Sequence, residues 1–210
     1  MYIPAPFIAS NSHDVINRRC KPVSLPVLIY HHIDIGLLLR HSPGFQFFDE
    51  GDKGVLHGHF ARANGHWRSL AAGVPVLAIF MGLDAYVSPS WYPSKARDGR
   101  AVPTWNYIAI HVRGMAEIFD DASRLRHLVE RLTDRHEAGR PHPWRVDDAP
   151  SDYLAGMLKG IVGLRLVIES IEGKWKLSQN HPAENREGVI AGLEAAGSPL
   201  APLMPRPVPR

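Results

Sequence analysis

The stretch Tyr86-Val-Ser-Pro-Ser-Trp-Tyr-Pro-Ser-Lys95 alternates hydroxyls, aromatic rings and a cation, and Val102-Pro-Thr-Trp-Asn-Tyr107 follows after a short charged turn. Hydroxyl and lysine donors suit a phosphate, while aromatic walls with a few amide-like groups suit a planar ring system. Together the two segments carry the chemistry expected for a phosphorylated planar cofactor. A proline-rich hairpin whose aromatics cover the edge of a core would show the same composition. Upstream, His57-Gly-His-Phe-Ala-Arg-Ala-Asn64 joins a strand to a helix start. Free backbone N–H groups and the helix dipole favour an anion there, and Arg62 with a histidine can close around it. An arginine in that place can equally pair with a surface carboxylate. The third block, Glu172-Gly-Lys-Trp-Lys-Leu-Ser-Gln-Asn180, sets two lysines around Trp175 just after a strand. It reads either as ligand-facing or as a solvated turn with Trp175 folded back on the sheet.

Other chemistries find less support. The chain has 12 histidines, with His31-His32 and the His57/His59 pair the nearest to a cluster, but no third ligand falls at metal spacing, so no metal centre is expected. Neither a Gly-x-Ser-x-Gly nucleophile context, a Gly-x-Gly-x-x-Gly loop nor a Walker loop is present. The 24 basic and 21 acidic residues leave a formal charge of only +3, without a basic stripe, zinc-finger spacing or helix-turn-helix pattern. Cys20 is the single cysteine and cannot form an intrachain disulfide. The opening residues lack the basic and apolar regions of a signal peptide, and the longest apolar run, Val74 to Met81, is too short to span a bilayer. These features predict a cytoplasmic protein without a membrane segment.

The elements that must position these residues can be read from periodicity. A short helix is expected over 12–19, a strand over 25–30, and two extended pieces between 37 and 48 broken at Pro43-Gly44. Gly51-Asp-Lys-Gly54 is a second turn, so the early chain predicts antiparallel sheet. Residues 59–72 carry helical spacing weakened by Gly65 and predict a short or broken helix. Val74 to Phe80 is continuously apolar between glycines, the pattern of a strand buried on both faces. Residues 104–113 and 162–169 alternate as half-buried strands, and 122–137 places Leu125, Leu128, Val129 and Leu132 on one helical face. A helix over 186–196 and a proline-rich tail, extended or mobile, over 198–210 complete the chain. The expected fold is mainly β with helices: a β-barrel with helical additions as one domain over 1–197, an open α+β sheet being the alternative.

Six words in register carry a resemblance to a known family. They are Tyr2-Ile-Pro with Phe7, Gly58-His-Phe-Ala-Arg-Ala-Asn64, Tyr86-Val-Ser-Pro-Ser-Trp-Tyr92 with Lys95, Val102-Pro-Thr-Trp-Asn-Tyr107, Gly173-Lys-Trp-Lys-Leu-Ser-Gln-Asn180 and Gly188-Val-Ile-Ala-Gly-Leu193. In these words and their spacing the chain resembles the PaiB family, the FMN-binding negative transcriptional regulators of the flavin split-barrel superfamily. It departs at Gly65-His66, where the family commonly has Pro-Gln, and matches only loosely from Lys21 to Phe48. The resemblance implies an FMN-binding split β-barrel and a homodimer with FMN between two subunits. It implies His59 and Arg62 at the phosphate, aided by Lys95 and Ser88. Ser90, Trp91, Tyr92, Trp105 and Asn106 are implied at the ring wall and its polar edge, and Lys176 and Gln179 near the dimer seam. It also implies a regulator that contacts DNA; the alternative is a flavin-dependent oxidoreductase acting on a small molecule, for which no catalytic residue can be named.

Overall fold

The computed structural model describes residues 27–32, 36–41, 46–48, 50, 52–70 and 73–206. The helix expected over 12–19 lies outside the described residues. In chain order the elements are β1 (Val27–His32), β2 (Gly36–His41), β3 (Gln46–Phe48), β4 (Val55–Ala61), α1 (His66–Leu70), β5 (Pro75–Val87), α2 (Lys95–Asp98), β6 (Thr104–Phe119), α3 (Ala122–Glu137), α4 (Ser151–Lys159), β7 (Ile161–Lys176) and α5 (Ala183–Ala195). Single 3-10 turns occur at Pro89–Trp91, Val146–Asp148 and Ala201–Leu203. The described residues divide into two compact units, one formed by those between 27 and 80 with His111–Ile171, the other by Met81–Ile110 with 172–206.

The first, strand-rich unit is built on the strand order β2-β1-β5-β6-β7-β4-β3, with antiparallel pairs β1–β2, β1–β5, β3–β4 and β4–β7. Alternation along β7 sends Val162, Leu164, Leu166 and Ile168 into the core, where Leu56 and Phe60 of β4 are also buried. The register sets His57 opposite Arg165 and His59 opposite Gly163. The β4 ladder runs on to Ala61, so the helix expected from 59 is confined to His66–Leu70. Phe60 explains the difference: its helical spacing to Ala63 is overruled by complete burial opposite Val162 in the sheet.

Helix α3 occupies the residues predicted for it. The Asp121 carboxylate accepts from the Ser123 hydroxyl at 2.6 Å and the Arg124 N–H at 2.9 Å, capping the helix, and these bonds hold its pKa below the ordinary carboxylate value. Leu125 and Leu128 bury against Phe119, with Leu132, Leu158 and Ile161 at the edge of the cluster. Helix α4 gave no sequence signal because it buries no residue fully; Tyr153 and Met157 are exposed.

The second unit, here the α5 unit, has its own core. Val87, Ile108, Leu177, Val189, Ile190 and Leu193 pack with Leu200, Ala201 and Met204 from the end of the chain. The tail expected to be extended or mobile is instead folded as far as it is described, to Arg206. Ser198 N–H donates to the Leu193 carbonyl at 2.9 Å, and Pro202 lies inside the 3-10 turn, where its fixed φ is an advantage. Three apolar side chains, Leu200, Ala201 and Met204, outweigh the proline content.

Candidate functional site

Nine of the eleven residues expected at a flavin belong to the α5 unit: Ser88, Ser90, Trp91, Tyr92, Lys95, Trp105, Asn106, Lys176 and Gln179. His59 and Arg62 belong to the strand-rich unit.

The loop after β5 and the α2 helix that follows it are fastened at four places, three on α5 and one on His181 just before it. Trp91 lies over Gly188 and Gly192, one turn apart on the same helical face. A Cβ at Gly192 would stand 2.3 Å from the indole, and one at Gly188 2.0 Å from the Trp91 carbonyl oxygen. Only hydrogen fits at those two positions, which gives the Gly188-Val-Ile-Ala-Gly word a packing reason. Tyr92 is buried and stacks on His181 with ring centroids 5.0 Å apart. The buried Asn185 amide donates to Ser94 Oγ at 2.9 Å and accepts from Ser94 N–H at 3.2 Å, and Arg97 pairs with Glu184 through two nitrogens. On this rigid support sit Ser88 and Ser90, whose hydroxyls are 2.6 Å apart, and the exposed Lys95 at the start of α2.

The strands supply a wall. Trp105 and Tyr86 are both about half exposed and meet edge to face with centroids 5.9 Å apart. Tyr107, two residues from Trp105 and hence on the same strand face, carries the Lys174 ammonium 5.9 Å from its ring centroid. Lys176 donates to Thr104 Oγ1. Burial, then the neighbouring Lys174 charge, pushes the Lys176 pKa down.

Four of the expected residues are engaged in contacts within the unit. Asn106 is fully buried; its amide donates to Ser178 Oγ at 3.0 Å and to Met204 Sδ at 3.5 Å. Gln179 closes its own turn, accepting from Leu177 N–H at 2.7 Å and donating to the Trp175 carbonyl. That turn holds Ser178 at φ 60°, a left-handed conformation uncommon for a residue with a side chain. Trp91 and Tyr92 are the other two, packed against α5 and His181. Trp175 joins the core, as the sheet-facing alternative had it.

In the strand-rich unit, Arg62 donates through Nε to the Lys159 carbonyl at 2.8 Å and through Nη2 to the Ile161 carbonyl at 3.1 Å, with Asp120 3.5 Å from Nη1. It thus pins the end of β4 to the α4–β7 connection. His59 is held neutral, burial pushing its pKa below the ordinary histidine value, and its Nδ1 has no partner among the described residues. Sequence reasoning missed Tyr86, Lys174, His181 and Asn185 as contributors. Lys174 and Tyr86 lie inside the quoted words and were recoverable from strand alternation, whereas Asn185 needed the fold.

The donor set of the α5 unit fits FMN. Two hydroxyls and Lys95 suit a terminal phosphate, and a half-exposed aromatic pair with Lys174 and Lys176 in the same unit suits a planar ring whose polar edge accepts hydrogen bonds. Among the described residues no three His, Cys, Asp or Glu side chains gather as metal ligands would, and no helix is long and apolar enough to cross a membrane.

Comparison with known proteins bears on the same point. Residues 1–170 match the family described as "Putative FMN-binding domain". The Bacillus subtilis protein named protease synthase and sporulation protein PAI 2 is 32% identical, over 97% of this chain and 94% of its own length. An uncharacterized protein of Aspergillus fumigatus is 30% identical over 91% of this chain and 86% of its own length. Among solved structures, the FAD and heme binding protein of Mycobacterium smegmatis superposes with a TM-score of 0.57 at 20% identity, covering 87% of this chain and 79% of that one. A conserved hypothetical protein of Mycobacterium tuberculosis gives a TM-score of 0.55 at 14% identity, over 87% and 94% of the two chains. With the six words, the mainly β fold and a full-length PAI 2 relative in agreement, the chain belongs to the PaiB family of FMN-binding proteins and has their flavin split-barrel fold.

Proposed function

We propose that the protein is a cytoplasmic, homodimeric negative regulator of transcription of the PaiB type that holds FMN through its α5 unit. The observation that carries this reading is the rigid loop bearing Ser88, Ser90 and Lys95 in the same unit as the exposed Tyr86–Trp105 wall and Lys176. Ser88, Ser90 and Lys95 bind the phosphate. Trp105 and Tyr86 face the ring, Lys176 supplies a donor to its polar edge, and Trp91, Tyr92, Asn106 and Gln179 keep these groups in place. His59 is a further candidate donor, and Arg62 acts through the backbone it fastens. When bound, FMN would supply reversible redox chemistry. The formal charge of +3 doubles to about +6 in a dimer, enough for sparse cations of two chains to align on a phosphate backbone.

The test is to load the protein with FMN and measure DNA retention against salt alongside flavin reduction by a nicotinamide nucleotide. A regulator retains DNA at low salt, loses it steeply as salt rises and reduces its flavin slowly. Fast anaerobic bleaching with no retention at any salt would overturn the proposal and make the protein an FMN-dependent oxidoreductase.

A further inference from the structure

The strand-rich unit contains a pocket of about 90 Å³ that includes none of the residues assigned to FMN. Its floor is apolar, made by the buried side chains of Phe48, Phe119 and Leu128. Its wall comes from α3, where Arg124, His127, Leu128 and Arg131 recur at the spacing of one helical face. The Arg131 guanidinium carbon lies 3.6 Å over the Phe48 ring and that of Arg124 lies 4.1 Å over Phe119. A guanidinium over a ring keeps N–H donors for an acceptor, of which Arg124 already gives one to Glu117 at 2.7 Å.

Among the described residues, the only carboxylate lining this pocket, Glu50, is loosely held. Glu50 stands 3.6 Å from His57 Nε2, 3.7 Å from Arg131 and 4.0 Å from Arg165, each longer than a hydrogen bond. Glu117 meanwhile accepts from Arg124 at 2.7 Å and lies 3.5 Å from Arg165. Among the described residues, three arginines therefore face two glutamates, leaving one positive charge in excess. His57 adds none at pH 7, because burial pushes its pKa down against the pull of Glu50.

We propose that this pocket binds a small monocarboxylate with a short alkyl group. Its carboxylate meets Arg124 and Arg131, and its carbon end covers Phe48, Phe119 and Leu128. A space of about 90 Å³, well below the volume of pockets that take drug-sized ligands, suits a small acid. A single excess charge matches a monoanion, and the apolar floor rewards a carbon substituent that inorganic phosphate lacks.

Titration calorimetry of the full chain with propionate, with propionamide and phosphate as controls at fixed ionic strength, tests this. Saturable propionate binding is expected, with far weaker binding of both controls. Arg131→Gln and Arg124→Gln should each weaken it about tenfold, the loss typical of a charge-assisted contact. Glu50→Gln should tighten it several-fold by removing the competing carboxylate, an opposite sign that loss of fold cannot mimic. FMN affinity should be unchanged in all three variants. Absence of saturation, equal binding of propionamide or phosphate, weakening by Glu50→Gln, or a parallel loss of FMN affinity, which would make the pocket part of the flavin site, would each overturn the proposal.

Discussion

Replacing Arg62 with alanine separates a structural arginine from a phosphate ligand. Its Nε and Nη2 donate to the carbonyls of Lys159 and Ile161 at 2.8 and 3.1 Å, and Lys159 is the last residue of α4, where helical carbonyls lack intrahelical donors. A hydrogen bond from a charged donor contributes about 1.5–3 kcal/mol. The side chain is 39% exposed, so water replaces part of what is lost, and the Arg62 N–H bond to the Gly160 carbonyl survives truncation. The two contacts together should then be worth about 2–3 kcal/mol, or roughly 5–10 °C in Tm for a chain of this size. Arg62→Lys should recover less than half, because a single ammonium does not reproduce a planar fork that spans two carbonyls. Urea unfolding followed by circular dichroism measures the stability, and flavin fluorescence at a temperature where both proteins are folded measures FMN affinity. Unchanged stability with about tenfold weaker FMN binding would refute the reasoning and return Arg62 to the phosphate.

Other perturbations have expected outcomes of their own. Gly192→Ala would gain about 1 kcal/mol in an isolated helix, yet here the added Cβ meets the Trp91 indole at 2.3 Å, so a loss of about 1–3 kcal/mol is expected; a more stable variant by thermal unfolding would contradict the packing. Asn106→Ala leaves the buried Ser178 hydroxyl without its partner and should cost about 2–3 kcal/mol, with Ser178→Ala costing less when added to it than alone; additive losses in a double-mutant cycle would show the pair to be uncoupled. His59 has a folded pKa below the ordinary 6.5, so the unfolded chain binds more protons beneath that value. The stability it contributes is complete above about pH 6.5 and is lost as pH falls through its depressed folded value, and His59→Gln should flatten that acid limb in a stability-against-pH series.

Much of the strand-rich unit was legible because its side chains obey simple periods. Leu125, Leu128 and Leu132 mark α3, and the alternation from Val162 to Ile168 marks β7, since each faces one core. Where tertiary packing decided, local pattern failed. Phe60 has helical spacing but is buried in the β4 ladder, α4 lacks a fully buried stripe, and Pro202 sits in a turn secured by Leu200, Ala201 and Met204. The candidate site divides the same way. The sequence words located its residues, but a word does not reveal direction. Trp91, Tyr92 and Asn106 share those words with Lys95 and Trp105, yet the first three make internal contacts while the last two meet solvent.

The FMN site proposed above consists of the exposed groups of the α5 unit. Its most direct test is the FMN dissociation constant of Lys95→Ala and Lys176→Ala, read from quenching of flavin fluorescence. Losing a charge-assisted contact of about 1.5–3 kcal/mol predicts roughly tenfold or greater weakening in each, with unchanged thermal stability for Lys95→Ala and only the loss of the Thr104 contact for Lys176→Ala. Wild-type affinity in both variants would contradict the account and show the two lysines to be ordinary surface cations.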